Sequence, residues 1–174
     1  MWIMRKLKQI ALQMVSGIRV ALFVSGCPFH CKNCSNPELW NPNYGKVFTD
    51  EIKEKMFKEL EKSYYDGLTI LGGSPLAEYN IKEVTEIAKE FKKRFSENKD
   101  LWVYTGNVIE DIMDYEILNY IDVLVDGLFI EELYSPLLRF KGSSNQRVIK
   151  VQEFIKNGEV VLYDEEPQWK NCLR

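Results

Sequence analysis

Short apolar runs alternate with longer amphipathic stretches along most of the chain. The runs at 20–24, 67–71, 101–104 and 123–125 are bounded by glycine, proline or polar residues, which is typical of buried strands. Between the first three runs, apolar residues recur at helical spacing over 52–60 and 81–95. We therefore predict two helices there, the first capped by Thr49 and the second started by a capping-box-like pair, Asn80 and Glu83.

The second half of the chain continues the alternation and then departs from it. A third helix is predicted over 109–120, and the segments 148–151 and 160–162 could form a late pair of strands. Repeated strand–helix units predict an α/β fold with parallel strands and outer helices. Because 174 residues leave no room for eight units, we expect an incomplete (β/α) barrel in a single domain over residues 1–174.

Residues with unusual chemistry follow the predicted strands directly. Three cysteines come after the first strand, Gly72 and Gly73 after the second, Tyr104 at the end of the third and Asp126 after the fourth. Ligands of barrels and open parallel sheets bind at the carboxyl ends of the strands. The sequence therefore predicts a binding site at this end of the sheet.

Composition and charge narrow the class of protein. A content of 45% hydrophobic and 28% charged residues excludes a disordered, collagen-like or multi-pass membrane chain. A net charge of −3 gives no general attraction to nucleic acid. The basic residues of 5–8 and the apolar stretch that ends at Cys27 resemble a lipoprotein signal, but Gln9, Gln13 and Arg19 interrupt that stretch. We therefore expect a cytoplasmic protein that binds neither nucleic acid nor membrane.

The cysteines carry the strongest chemical signal. Cys27, Cys31 and Cys34 lie within eight residues with the spacing C-x₃-C-x₂-C. Such crowding is typical of a metal or cluster site in a reducing compartment rather than of disulfides. Three thiolates on one loop can hold three irons of a [4Fe–4S] cluster and leave the fourth iron open to the amino and carboxylate groups of a small molecule.

Two other interpretations of the cysteines stay open from the residues alone. The spacing also fits one face of a helix with buried thiols, although the flanking glycine and prolines leave little room for one. A structural zinc could be bound by the three cysteines and His30, although His30 and Cys31 are adjacent in a tight loop. We favour a cluster over zinc. We assign no role to His30, and we interpret Cys172, near the C-terminus, as an incidental thiol.

Several motifs, in their order along the chain, resemble those of a known family. The cysteine spacing and the Gly-Gly-Ser-Pro-Leu segment at 72–76 are similar to motifs of the radical S-adenosylmethionine superfamily. Segments 16–24 and 34–40 resemble those of glycyl-radical-enzyme activases. A narrower resemblance, to the activating proteins of anaerobic ribonucleoside-triphosphate reductases, is found at 104–106, 125–127 and 141–147. The resemblance covers about residues 16 to 150 and implies an incomplete barrel of the radical S-adenosylmethionine type.

The resemblance also implies the site residues and two cofactors. Cys27, Cys31 and Cys34 would bind a [4Fe–4S] cluster. The residues that would line the S-adenosylmethionine site are Asn33, Cys34, Ser35, Gly72, Gly73, Ser74, Tyr104 and Asp126. Tyr104 and Asp126 could equally be a core aromatic and a turn residue, and Arg147 could face a carboxylate, a partner protein or solvent. Asn33 departs from the superfamily pattern, which often has an aromatic residue there, although the reductase activases commonly have a small one. Ser74 replaces the usual acidic residue of the glycine motif.

The implied activity is the reductive cleavage of S-adenosylmethionine and the formation of a glycyl radical on a partner enzyme. The implied partners are a large glycyl-radical enzyme, namely an anaerobic ribonucleotide reductase, and a flavodoxin-like electron donor. A pyruvate formate-lyase-type activase and a small-molecule radical enzyme are alternatives within this class. A zinc-stabilised interaction module and a simple electron carrier are alternatives from other classes.

Overall fold

A computed structural model describes residues 3–11, by their backbone pairing, and residues 17–163. Seven strands in these ranges form one sheet: β1 (Ile3–Ala11), β2 (Ile18–Val24), β3 (Lys46–Val47), β4 (Gly67–Gly72), β5 (Asp100–Tyr104), β6 (Val123–Asp126) and β7 (Arg147–Lys150). Three α-helices accompany them: α1 (Asp50–Leu60), α2 (Glu78–Phe95) and α3 (Val151–Asn157). None of the helices in the described ranges is long and apolar enough for a membrane span.

The sheet has a parallel centre with antiparallel strands on both sides. Its strand order is β3-β1-β2-β4-β5-β6-β7, and β2, β4, β5 and β6 are parallel to one another. The pairs β1–β2, β1–β3 and β6–β7 are antiparallel. The α/β class and the four predicted parallel strands are confirmed, whereas closure into a partial barrel stays a prediction.

The two faces of the sheet are covered differently. Val20, Leu22 and Val24 of β2 point to one face, where they join the main core with the buried sides of α1 and α2. The opposite face carries a smaller apolar cluster, which includes Trp102 of β5 and Phe140 from a loop. The period-2 alternation of a strand divides neighbouring residues between these two cores.

The predicted third helix is wrong. Residues 109–120 contain two 3₁₀ turns, Ile109–Ile112 and Glu116–Asn119, instead of one α-helix. Ile109 and Leu118 are both buried, yet nine residues at about 100° each would place them on opposite sides of a helix. Two separate turns allow both side chains to face the main core.

Other boundaries are confirmed in part. Thr49 caps α1 as predicted, and its hydroxyl accepts a hydrogen bond from the Ile52 amide at 3.3 Å. Asn80 is not a cap, because α2 begins two residues earlier and Ala77 occupies the N-cap position. The late strand pair is reduced to β7 and one antiparallel bridge between Ile149 and Leu162. Strand β1 was not predicted from the sequence.

A buried arginine ties three parallel strands together on the face opposite the helices. Arg19 Nε donates to Thr69 Oγ1 at 2.9 Å, and its Nη2 donates to the carbonyls of Leu68 and Asp100 at 3.0 and 2.7 Å. Nη1 forms an ion pair with the Asp100 carboxylate, and the guanidinium lies 5.4 Å from the centre of the Trp102 ring. Burial lowers the pKa of Arg19, while Asp100 opposes this shift. The charged guanidinium can be buried because these partners replace the hydrogen bonds that water would otherwise make to it.

We expect Arg19→Ala to lower the free energy of unfolding by about 3–5 kcal/mol, because the acceptors of three hydrogen bonds, at Thr69, Leu68 and Asp100, lose their buried donor. Urea unfolding measures this loss. Lys62→Ala is the control, since it breaks the more exposed pair between Lys62 and Glu59 and should leave the free energy of unfolding nearly unchanged. Equal losses in the two variants would contradict a structural role for the buried guanidinium.

Candidate metal centre

The cysteine loop follows β2 and reverses direction before each thiol. Gly26, His30 and Asn33, the residues directly before the three cysteines, have φ values of +89°, +47° and +51°. Glycine adopts this left-handed region freely, and asparagine and histidine are enriched there among other residues. The three reversals exclude a helix over 27–34, so the interpretation as a helix face is wrong. They also give Asn33 a backbone role, which its residue type could have indicated from the sequence.

The three thiols are half-buried and none of them forms a disulfide. Burial raises the pKa of the Cys27 thiol, against the opposing effect of the Phe29 and His30 backbone amides. Burial also raises the pKa of Cys31, where the Phe129 backbone amide opposes the shift. Metal ligation by these thiols would therefore release protons. Cys172 lies outside the described residues.

His30 is turned towards an aromatic side chain. Its ring stacks on Trp40 with centroids 4.7 Å apart and an angle of 29° between the planes. Within residues 17–163, no group of three or more histidine, cysteine and acidic side chains is arranged to hold a single metal ion. The structure therefore does not assemble the four-ligand zinc site in the part of the chain it describes.

The glycine segment after β4 lies directly against the start of the cysteine loop. The Gly73 amide donates to the Val24 carbonyl at 2.8 Å, and the Ser74 amide donates to the Gly26 carbonyl at 2.7 Å. A Cβ on Gly73 would lie 2.4 Å from the Gly26 oxygen, and one on Gly72 would lie 2.9 Å from the Val24 oxygen. Backbone packing against the cysteine loop thus requires both glycines. Their implied contact with S-adenosylmethionine stays a prediction.

Ser74 places a buried hydroxyl next to this contact. The residue is 1% exposed, and within the described residues its Oγ has no hydrogen-bond partner. A buried polar group without a partner costs about 1–3 kcal/mol. A bound polar ligand could satisfy it, so this position fits the cofactor role implied for Ser74.

The segment 127–134 after β6 folds against the cysteine loop. Asn33 Nδ2 donates to Glu131, and Lys32 pairs with the same carboxylate at 2.8 Å. These two hydrogen bonds lower the pKa of Glu131. The Asn33 side chain is therefore engaged within the chain, while Ser35 lies exposed on the other side of Cys34.

Tyr104 and Asp126 both have structural partners. Tyr104 Oη donates to the Phe140 carbonyl at 2.7 Å, and burial raises the pKa of this phenol. The buried Asp126 carboxylate accepts hydrogen bonds from Arg147 Nε at 3.0 Å and from the Ile109 amide at 2.9 Å. The structure brings both residues to the ends of their strands, and their contact with a cofactor stays a prediction.

Arg147 faces carboxylates of its own chain. Besides Asp126, it binds Glu110 through two hydrogen bonds of 2.8 and 2.6 Å, which lower the pKa of Glu110 to about 2. The neighbouring Gln146 accepts from the Gly142 amide at 2.9 Å and donates to the Gly127 carbonyl at 3.0 Å. Through these hydrogen bonds, the motif at 141–147 holds the segment after β6 in place. Sequence reasoning missed Gln146, whose amide can bridge a donor and an acceptor.

The cysteine loop lies within the part of the chain that matches known proteins. A family model described as a 4Fe-4S single cluster domain matches residues 15–149. A protein of Enterobacteria phage T4 named anaerobic ribonucleoside-triphosphate reductase-activating protein is 42% identical over 132 residues, which cover 76% of this chain and 83% of that protein. The chain belongs to the family of these activating proteins.

Bacterial members of the family match over a similar length. The activating protein of Vibrio cholerae serotype O1 is 37% identical over 134 residues, or 75% of this chain and 86% of that protein. The one of Escherichia coli strain K12 is 33% identical over 136 residues, or 76% and 88%. The expected family is confirmed, and the match to the 4Fe-4S domain favours an iron–sulfur cluster over zinc.

The Glu110–Arg147 pair predicts an acid-dependent loss of stability. Its contribution is complete above about pH 4.5 and is lost as the pH falls towards 2, because the folded state holds the carboxylate at a lowered pKa. Glu110 is about half exposed, so we expect Glu110→Gln to cost less than about 1 kcal/mol at pH 7. Urea unfolding between pH 6 and 2 should show a shallower pH dependence for this variant. The exposed control Glu159→Gln should follow the parent protein, and identical curves for all three would contradict the pairing.

Proposed function

We propose that the protein is a radical S-adenosylmethionine activase that forms a glycyl radical on an anaerobic ribonucleoside-triphosphate reductase. The observation that carries this proposal is the loop with three half-buried free thiols, fastened by its backbone to the glycine segment. The names of the relatives support the identity of the partner.

Cys27, Cys31 and Cys34 are the proposed ligands of a [4Fe–4S] cluster. Soft thiolates are the usual ligands of such clusters, and a loop with three of them leaves one iron for an outside ligand. The chemistry that the cluster supplies when bound is a one-electron reduction of the sulfonium of S-adenosylmethionine, which yields methionine and an adenosyl radical able to take a hydrogen atom from a glycine Cα. The chain's own residues hold the reactants and limit the access of water.

The proposed S-adenosylmethionine site lies where the cysteine loop meets the glycine segment. The unpartnered Ser74 hydroxyl supports a hydrogen bond to the methionine end, with Gly72 and Gly73 beside it. Asn33, Cys34 and Ser35 would contact the adenosyl end, Asn33 through its backbone because its side chain binds Glu131. Tyr104 and Asp126 would line the wall, held there by Phe140 and Arg147.

The surface beside the cysteine loop supports the proposal that the substrate is a protein. Large apolar side chains are exposed on the segment after β6, at Leu128, Ile130, Leu133, Tyr134 and Leu137. Exposed apolar groups of this kind are typical of protein contacts. This favours an activase over a small-molecule radical enzyme. The proposal also includes an incomplete barrel with one open side, a flavodoxin-like electron donor and a cytoplasmic location.

Metal analysis tests the ligand assignment. We expect anaerobically reconstituted protein to contain about four irons per chain with matching sulfide. Cys27→Ala, Cys31→Ala and Cys34→Ala should each lose the intact cluster, because no ligand replaces the missing thiolate. Cys172→Ala is the matched control and should keep its full iron content. One zinc per chain, or cluster loss in the control, would refute the assignment.

Product analysis tests the reaction. With a chemical reductant, the reconstituted protein should release 5′-deoxyadenosine and methionine from S-adenosylmethionine even without its partner, and each of the three cysteine variants should release none. Addition of the reductase should give a glycyl radical signal in electron paramagnetic resonance. A cluster that is reduced without cleaving S-adenosylmethionine would instead identify an electron carrier.

A further inference from the structure

Asn80 connects the two segments that form the proposed site. It lies in the first turn of α2 and is 2% exposed. Its Nδ2 donates to the Ser25 carbonyl at 3.0 Å and to the Ser74 carbonyl at 2.9 Å. Ser25 belongs to the start of the cysteine loop, and Ser74 belongs to the glycine segment. One side chain therefore joins segments that are 49 positions apart in the sequence.

One hydrogen bond of Asn80 completes a row of three hydrogen bonds between the glycine segment side and the start of the cysteine loop. The consecutive carbonyls of residues 24–26 accept hydrogen bonds from the Gly73 amide at 2.8 Å, from Asn80 Nδ2 at 3.0 Å and from the Ser74 amide at 2.7 Å. The backbone of the glycine segment serves the first and third carbonyls, and the Asn80 side chain serves the second. Each of the three carbonyls directly before Cys27 therefore accepts a hydrogen bond.

The chemistry of the side chain explains why asparagine occupies this position. Its amide nitrogen carries two hydrogens, one for each carbonyl. An aspartate would offer no donor at neutral pH, and a serine would offer one. Loss of the amide would leave the buried Ser25 carbonyl without its donor, which is costly, whereas the Ser74 carbonyl would keep the hydrogen bond from the Ala77 amide at 3.1 Å.

We propose that Asn80 is a positioning residue, which sets the separation between the cysteine loop and the glycine segment and so the affinity for S-adenosylmethionine. This inference rests on the proposed function, because it requires one ligand to contact both segments. Cys27 lies two residues after Ser25, and the unpartnered Ser74 hydroxyl belongs to the residue whose carbonyl Asn80 binds. A shift between the segments would change the distance between these two contacts.

The first test needs neither cluster nor S-adenosylmethionine. Asn80→Ala is compared with Thr85→Val, which removes another buried hydrogen bond of α2, from Thr85 Oγ1 to the Ile81 carbonyl at 2.7 Å. Hydrogen exchange of the full-length, metal-free chain is followed in peptides that cover 24–27 and 72–75. We expect about tenfold faster exchange there in Asn80→Ala only, in line with two lost hydrogen bonds. Asn80→Ser, a milder change, replaces it if Asn80→Ala does not fold.

The second test uses the reconstituted protein. The iron content of Asn80→Ala should equal that of the parent, because all three thiols remain. Its dissociation constant for S-adenosylmethionine, read from the change in the electron paramagnetic resonance spectrum of the reduced cluster, should rise about tenfold, while Thr85→Val stays unchanged.

Two results would overturn the inference: equal exchange in both variants, or an unchanged S-adenosylmethionine affinity in Asn80→Ala. A parent protein that binds iron but no S-adenosylmethionine would overturn the proposed function, and the affinity effect of Asn80 with it. The exchange comparison would then still decide whether Asn80 holds the two segments together.

Discussion

Backbone hydrogen bonds between the end of β2 and the segment after β4 determine the geometry of the candidate site. The two strands are parallel neighbours, and their ladder continues past the strand ends through the Gly73 and Ser74 amides. This continuation is possible because side chains at 72 and 73 would collide with the backbone of residues 24–26. On its other side the loop is held by the Gly26 and Cys27 amides, which donate to carbonyls at residues 39 and 40. The start of the cysteine loop is therefore held by backbone hydrogen bonds on both sides.

Charged side chains also hold the strands together, on both faces of the sheet. Arg19 joins β2, β4 and β5 near their amino ends on the face away from the helices, and Asp126 with Arg147 joins β6 to β7 on the helix face, at the carboxyl end of β6. Their several hydrogen bonds help to keep the strands in register. The registry of the strands in turn places the loops that follow them.

Elements with a regular burial pattern could be predicted from the sequence, and elements that depend on distant contacts could not. The parallel strands, α1 and α2 follow from local periodicity, and the cysteine spacing identified the candidate centre. The segment 109–120 has apolar residues but no single apolar stripe, so its two turns were mistaken for a helix. Asn80 was interpreted as a helix-start residue, because its hydrogen-bond partner at Ser25 lies 55 positions away. The partners of Arg147 could not be chosen from the sequence for the same reason.

The left-handed residues at 26, 30 and 33 have a consequence for the substitutions that the cysteine loop can accept. A β-branched side chain is strongly disfavoured at a positive φ, so valine or isoleucine at any of these positions would distort the bend beside a thiol without removing a ligand. The loop is therefore constrained at the neighbours of its cysteines as well as at the cysteines themselves.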